Sequence, residues 1–361
     1  MEQQERKPRV AITHGDTNGV GYELILKIFE DPAMMELCTP IIYGSPKVAT
    51  YHRKALGLET PFSVISTPDE AKENKLNLLT TFDEEIKVEI GQSSDEATDA
   101  ARKALKRAII DVQQGLADVL VMGPDNLPDF LSKEPEVLRV RMIDDLRMAL
   151  VTNLLAIKDL PEAITKPIIV EKVKILHACL RRDLRISNPR IAVLALNPPT
   201  GDDENPWGEE EKSIILPAIE ELEQESIQVF GPYAADKFFG NSDYLQFDAV
   251  LAMYHDQGIA PMKSLSCDDG ISLLTGMPFV CTRPETGVNY EQAGKGIADE
   301  TALRHAVFMG IDVFRNRKNY DEPLANPLPK LYKEKRDDSE KVRFAIPKAR
   351  EQKKDEKENN Q

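Results

Sequence analysis

Short apolar runs alternate with amphipathic stretches from residue 9 to about residue 317, and this alternation constrains the fold more than any other feature of the chain. The runs at 10–13, 40–43, 118–122, 148–152, 191–196, 249–253 and 279–282 read as buried strands, being short, partly β-branched and bounded by polar residues. Between them, 22–30, 95–114, 165–184, 209–225 and 299–317 carry helical spacing; in the second of these, Ala101, Leu105, Ala108, Ile109 and Val112 share one face. Strand, helix, strand in repetition predicts an α/β fold of parallel or mixed sheets flanked by helices. At 361 residues the chain exceeds one ordinary core, so two lobes are expected. Residues 1–125 with 275–320 form the first, on the dinucleotide side, and 126–274 form the second, on the dimerisation and metal side.

Charge and composition exclude several classes. The net charge of −15 argues against nucleic acid, because a phosphate backbone would be repelled. Residues 331–361 hold ten Lys/Arg against eight Asp/Glu, leaving +2, so the preceding residues carry −17. That segment is too polar to offset chain entropy and reads as a disordered tail. No apolar run reaches eighteen residues, so no membrane span is expected, and the polar N-terminus lacks a signal peptide. Cys38, Cys179, Cys267 and Cys281 are scattered without a CxxC pair, which fits reduced thiols in the cytoplasm.

The candidate chemistry sits after strand ends. Tyr254-His255-Asp256-Gln257-Gly258, with Lys263 beyond, follows the run at 249–253, and ligands of open α/β sheets bind at that edge. A glycine-rich turn containing Asp16, Asn18 and Gly19 follows the first strand. A second, Gly294-Lys295-Gly296 up to Asp299, opens another helix and would suit a small phosphorylated ligand or a dinucleotide. By residue chemistry alone, a tight structural turn explains the first loop better than a ligand does, and a solvated lysine explains the second equally well. Only five histidines occur, with no metal-ligand spacing, so His255 with Asp256 makes half a metal site at best.

Together these segments resemble the 4-hydroxythreonine-4-phosphate dehydrogenase family of pyridoxal 5′-phosphate biosynthesis. The motifs are the glycine turn at 15–21, Leu196-Asn197-Pro198, the stretch Met253 to Gly258, and Ala293-Gly294-Lys295-Gly296. The resemblance implies a two-lobed, isopropylmalate dehydrogenase-like homodimer using NAD and a divalent metal such as zinc, held by three histidines from both subunits. It assigns His255 to the metal, Lys263 and Asp256 to catalysis, and Gly294, Lys295, Gly296 and Asp299 to the cofactor. Asp16, Asn18, Gly19 and Arg283 fall to the substrate cleft.

The chain departs from that pattern at the site itself. Where the resemblance sets the first two metal histidines, Leu154 or Asn153 stands at or beside the first position and Pro199 at the second, and leucine and proline side chains have no lone pair to donate. The substrate loop between Gly123 and Met148 is short and lacks histidine, and Cys281 replaces a substrate arginine. Three readings follow. The chain keeps the scaffold with catalysis lost or weakened, as a homodimer or a heterodimer with an active relative. Alternatively it is an active NAD-dependent dehydrogenase with altered substrate and a metal site rebuilt from Asp256, Asp202 or His14. The third is a metal-independent dinucleotide-binding protein that keeps NAD affinity around Lys295 without turnover.

Overall fold

The computed structural model describes residues 6–82, 86–127, 136–199, 207–265 and 270–326. The tail at 331–361, Asp202 and Cys267 lie outside them. Twelve strands form one mixed sheet: β1 (Arg9–Thr13), β2 (Thr39–Gly44), β3 (Phe62–Ile65), β4 (Leu76–Thr80), β5 (Val119–Val121), β6 (Leu138–Ile143), β7 (Leu146–Leu150), β8 (Ile191–Leu194), β9 (Val229–Tyr233), β10 (Ala249–Ala252), β11 (Ile271–Thr275) and β12 (Val280–Pro284). Their order across the sheet is 3-4-2-1-5-12-11-6-7-10-8-9.

The ladders are parallel at both ends and antiparallel in the middle, where β12, β11, β6 and β7 meet. A purely repeating strand–helix unit would give parallel pairs throughout; short connections between β6 and β7 and between β11 and β12 permit only antiparallel neighbours. Strands β1 to β5 with β12 fill one end of the sheet and β6 to β11 the other.

The helices are α1 (Gly21–Ile28), α2 (Ala33–Leu37), α3 (Pro46–Ala55), α4 (Asp95–Gln113), α5 (Leu160–Ala163), α6 (Lys166–Ala178), α7 (Leu216–Gln224), α8 (Ala235–Gly240), α9 (His255–Leu265) and α10 (Thr301–Ala325). Among the described residues none is long and apolar enough to cross a membrane. Ser94 starts α4 by accepting the Ala97 N–H at 3.2 Å, a side-chain cap at the first turn.

Packing divides unequally between the two faces. One face carries a single apolar cluster running through Val10, Ile12, Val140, Leu251 and Leu273. The opposite face carries two separate clusters, one around Ala11, Leu120 and Cys281 and the other around Met148, Leu150 and Val250. Arg139, Arg141 and Ser272 stand on this second face between them, because alternate residues of a strand share a face. A polar seam therefore splits the core on one side of the sheet.

Candidate functional site

The carboxyl ends of β7, β8 and β10 lie side by side, in register Leu150 with Ala252 and Val193 with Leu251. Beyond them Thr152 Oγ1 donates to the Met253 carbonyl at 2.7 Å. His255 is not on a loop: it opens α9 directly after β10, so the strand passes into the helix almost without a turn. Two residues of the motif serve that junction. Gln257 accepts the Met253 N–H at 2.8 Å and donates to the Ala195 carbonyl at 2.5 Å, while a Cβ on Gly258 would stand 2.9 Å from the Met148 sulfur. His255 Nδ1 lies 2.9 Å from Asp256 Oδ1, and the Asp256 side chain is 80% exposed.

A cavity of about 300 Å³ opens beside α9, lined by Arg141, Lys263, Glu285, Asn289, Gln292 and Asp299 among others. Arg141 brings the polar seam to its floor, beside Glu285. Arg139 Nη2 meets Glu285 Oε1 at 2.6 Å, Arg141 Nε stands 3.7 Å from Oε2, and the Ser272 hydroxyl donates to Oε1. Arg139 Nε donates to the Ser272 oxygen at 2.9 Å. Burial pushes the Glu285 carboxyl pKa up, but the two guanidiniums and the Ser272 hydroxyl prevail and hold it at about 2. Arg139, Arg141 and Glu285 did not emerge from motif reading. Their visible trace is two arginines spaced by two inside the apolar run at 137–143, which puts charge on one face of a buried strand.

The structure brings Lys263 and Asp299 to this cavity and leaves the other expected residues elsewhere. Asp16 and Asn18 are buried and spent on the loop itself. Asp16 accepts the Asn18 N–H at 2.8 Å and the Tyr290 hydroxyl at 2.8 Å; the Asn18 amide donates to Gln92 and Ser94 and accepts from Glu89. Gly19 is required by close packing, since a Cβ there would lie 2.4 Å from Val288 Cγ1. This first glycine turn therefore braces the scaffold where a substrate cleft is expected of it. Arg283 is half-buried on β12, opposite Ser272, outside the cavity lining.

The second glycine loop is similarly anchored. Gly294 has φ +72° and a Cβ there would meet Ile90 at 2.8 Å. The Lys27 ammonium holds the Gly296 and Ala298 carbonyls at 2.9 and 2.7 Å, and Glu23 accepts the Ala298 N–H at 3.0 Å. Lys295 N–H donates to Gln292. The Lys295 and Ala298 N–H groups are thus already used, and the loop exposes the Lys295 side chain. Asp299 receives the Thr301 N–H and hydroxyl at 2.8 and 2.6 Å, which steadies the start of α10 and draws its pKa down.

The described residues of the single chain do not by themselves complete a divalent-metal site. Among the described residues no group of three or more His, Cys, Asp or Glu side chains could hold one. Leu154 is 87% exposed, with no donor atom in its side chain. His14 is no substitute: it is fully buried, stacked on Tyr22 at 4.9 Å, and burial drives its pKa down to about 3.

The mixed sheet flanked by helices defines an α/β protein, with a polar cavity lined from β6, α9, the residues after β12 and the start of α10. The chain belongs to the family of the pyridoxal phosphate biosynthetic protein PdxA, whose family model matches residues 36–130 and 126–310. It is 48% identical over 358 residues to a 4-hydroxythreonine-4-phosphate dehydrogenase of Bacteroides thetaiotaomicron, covering 94% of this chain and 98% of that one. The crystal structure of the Burkholderia phymatum 4-hydroxythreonine-4-phosphate dehydrogenase superposes with TM-score 0.69 at 28% identity, covering 86% of this chain and 99% of that one. The Klebsiella pneumoniae enzyme of the same name shares the fold, with TM-score 0.72 at 23% identity and coverage of 86% and 99%.

Proposed function

We propose that this chain keeps the family cleft as a binding site for a small anionic molecule and does not run the metal-assisted dehydrogenation that the resemblance implies. The observation that carries this reading is in the sequence, where Leu154 or Asn153 and then Pro199 stand at the two positions at which the resemblance expects histidine. A metal stabilises the charge developing on an oxidised alcohol only when several ligands fix it, and one histidine does not. What remains is recognition. The Lys263 ammonium on α9 faces the cavity as a point charge suited to a phosphate or carboxylate, and the Asn289 and Gln292 amides supply neutral hydrogen bonds. The exposed ridge of Leu154 and Ile157, at 87% and 75%, supports covering by a second chain, as a homodimer or with an active relative.

The 48% identity to a named dehydrogenase over nearly the whole chain favours a second reading, an active NAD-dependent enzyme with a rebuilt site. One purified sample separates the two. Bound divalent metal, NAD affinity and NADH formation from 4-phosphohydroxythreonine are measured together. The first reading expects no stoichiometric metal and no turnover; metal near one per chain with turnover establishes the second.

A further inference from the structure

We infer that Glu285 is a specificity-determining residue whose carboxylate fills the anion position on the arginine floor of the cavity and so keeps a ligand phosphate off that floor. The inference deepens the reading of this cavity as a ligand site. It rests on how four side chains from three strands converge. Arg139 and Arg141 project from the same face of β6, and Ser272 stands directly opposite Arg141 on β11. Two guanidiniums and a hydroxyl aimed at one point form the donor set that binds a carboxylate or phosphate. Here the chain's own carboxylate is at that point, 2.6 Å from Arg139 and 3.7 Å from Arg141.

Glu285 reaches the floor from the end of β12, where its N–H donates to the Gly270 carbonyl at 2.8 Å. It lines the cavity, so shortening the side chain opens the floor toward the space a ligand would use. The carboxylate stays ionised, since its partners hold the pKa at about 2. A second anionic group brought to the floor would meet this charge at close range. The anionic end of a ligand is thereby directed to Lys263, and a ligand with one anionic group is preferred over one with two.

The test uses the full chain and inorganic phosphate at constant ionic strength, followed by titration calorimetry. Glu285→Ala is expected to bind phosphate about tenfold tighter than the unaltered protein. Adding Arg139→Gln is expected to abolish the gain. A folded Glu285→Ala protein with unchanged phosphate affinity overturns the inference, as does a gain that survives Arg139→Gln. Should Glu285→Ala lose its cooperative unfolding transition in chloride, phosphate is expected to restore it where chloride of equal ionic strength does not; equal rescue by both overturns the inference. The NADH assay reports separately on the reading of lost activity. Turnover together with a phosphate gain would discard that reading and leave this one standing.

Discussion

Tyr290 donates its hydroxyl to Asp16 Oδ2 at 2.8 Å and accepts the Asn126 amide at 2.9 Å, joining loops 274 residues apart in the chain. The bond ties the first glycine turn to the loop that leads into α10. Tyr290→Phe removes a hydrogen bond to a buried carboxylate while leaving the ring in place, and about 2 kcal/mol of stability should go with it. In urea unfolding the midpoint falls and the slope stays unchanged. An unmoved midpoint would show that Asp16 is held by the Asn18 N–H alone.

The Glu285 clamp makes a pH prediction. Its folded pKa of about 2 lies below the ordinary glutamate value of 4.5, so the ionised carboxylate contributes stability above pH 4.5. That contribution, about 3 kcal/mol, drains away as pH falls from 4.5 toward 2. Glu285→Gln should therefore be the less stable protein at neutral pH, and the gap to the unaltered chain should close across that acid window. Parallel curves would mean that the arginines are neutralised by other groups.

His14 acts in the same direction from a different cause. Burial lowers its folded pKa to about 3, against 6.5 when exposed, so the unfolded chain binds a proton that the folded one refuses. Stability is fully present above pH 6.5 and falls through the interval down to pH 3, by at most about 1.4 kcal/mol per pH unit from this group. His14→Phe keeps an aromatic partner for Tyr22 and removes the titration. Its stability should vary less steeply between pH 6 and 4, by about one proton; an unchanged slope would place that acid sensitivity in the carboxylates or in His52.

The α/β class and the strands β1, β2, β5, β7, β8, β10 and β12 are legible in the sequence because their apolar runs are unbroken, as at Ala249–Ala252 and Ile191–Leu194, whereas β3, β4, β6, β9 and β11 are not. In β6 the arginines at 139 and 141 interrupt the hydrophobic run, and in the edge strand β9 Gly231 and Pro232 do so, at the point where the register with β8 shifts. The site was legible only as a set of motif positions. Lys263 reaches the cavity because helical spacing carries it there from the strand end. Asp16, Asn18 and His14 share the same kind of loop, yet long-range partners such as Tyr290 and Tyr22 bury them. Nothing local in the sequence distinguishes a glycine turn that cradles a ligand from one that packs against Val288.

Ligand loss is itself reversible in principle, and that gives the most direct test of the proposed function. Leu154→His combined with Pro199→His restores imidazole at the two positions where the resemblance expects it. His255 is already half-exposed at the start of α9, and Leu154 is on the surface, so the change at residue 154 requires no repacking of a core. Three imidazoles with an open fourth position form a catalytic zinc set. Zinc retained after dialysis should rise at least about tenfold, toward one per chain. Either substitution alone should leave the metal weakly held, because affinity grows with each added ligand. Zinc binding without NADH formation would assign the remaining defect to the substituted substrate loop and the arginine floor. Zinc binding that stays absent would mean that the strand-end loops no longer bring these positions within reach of His255.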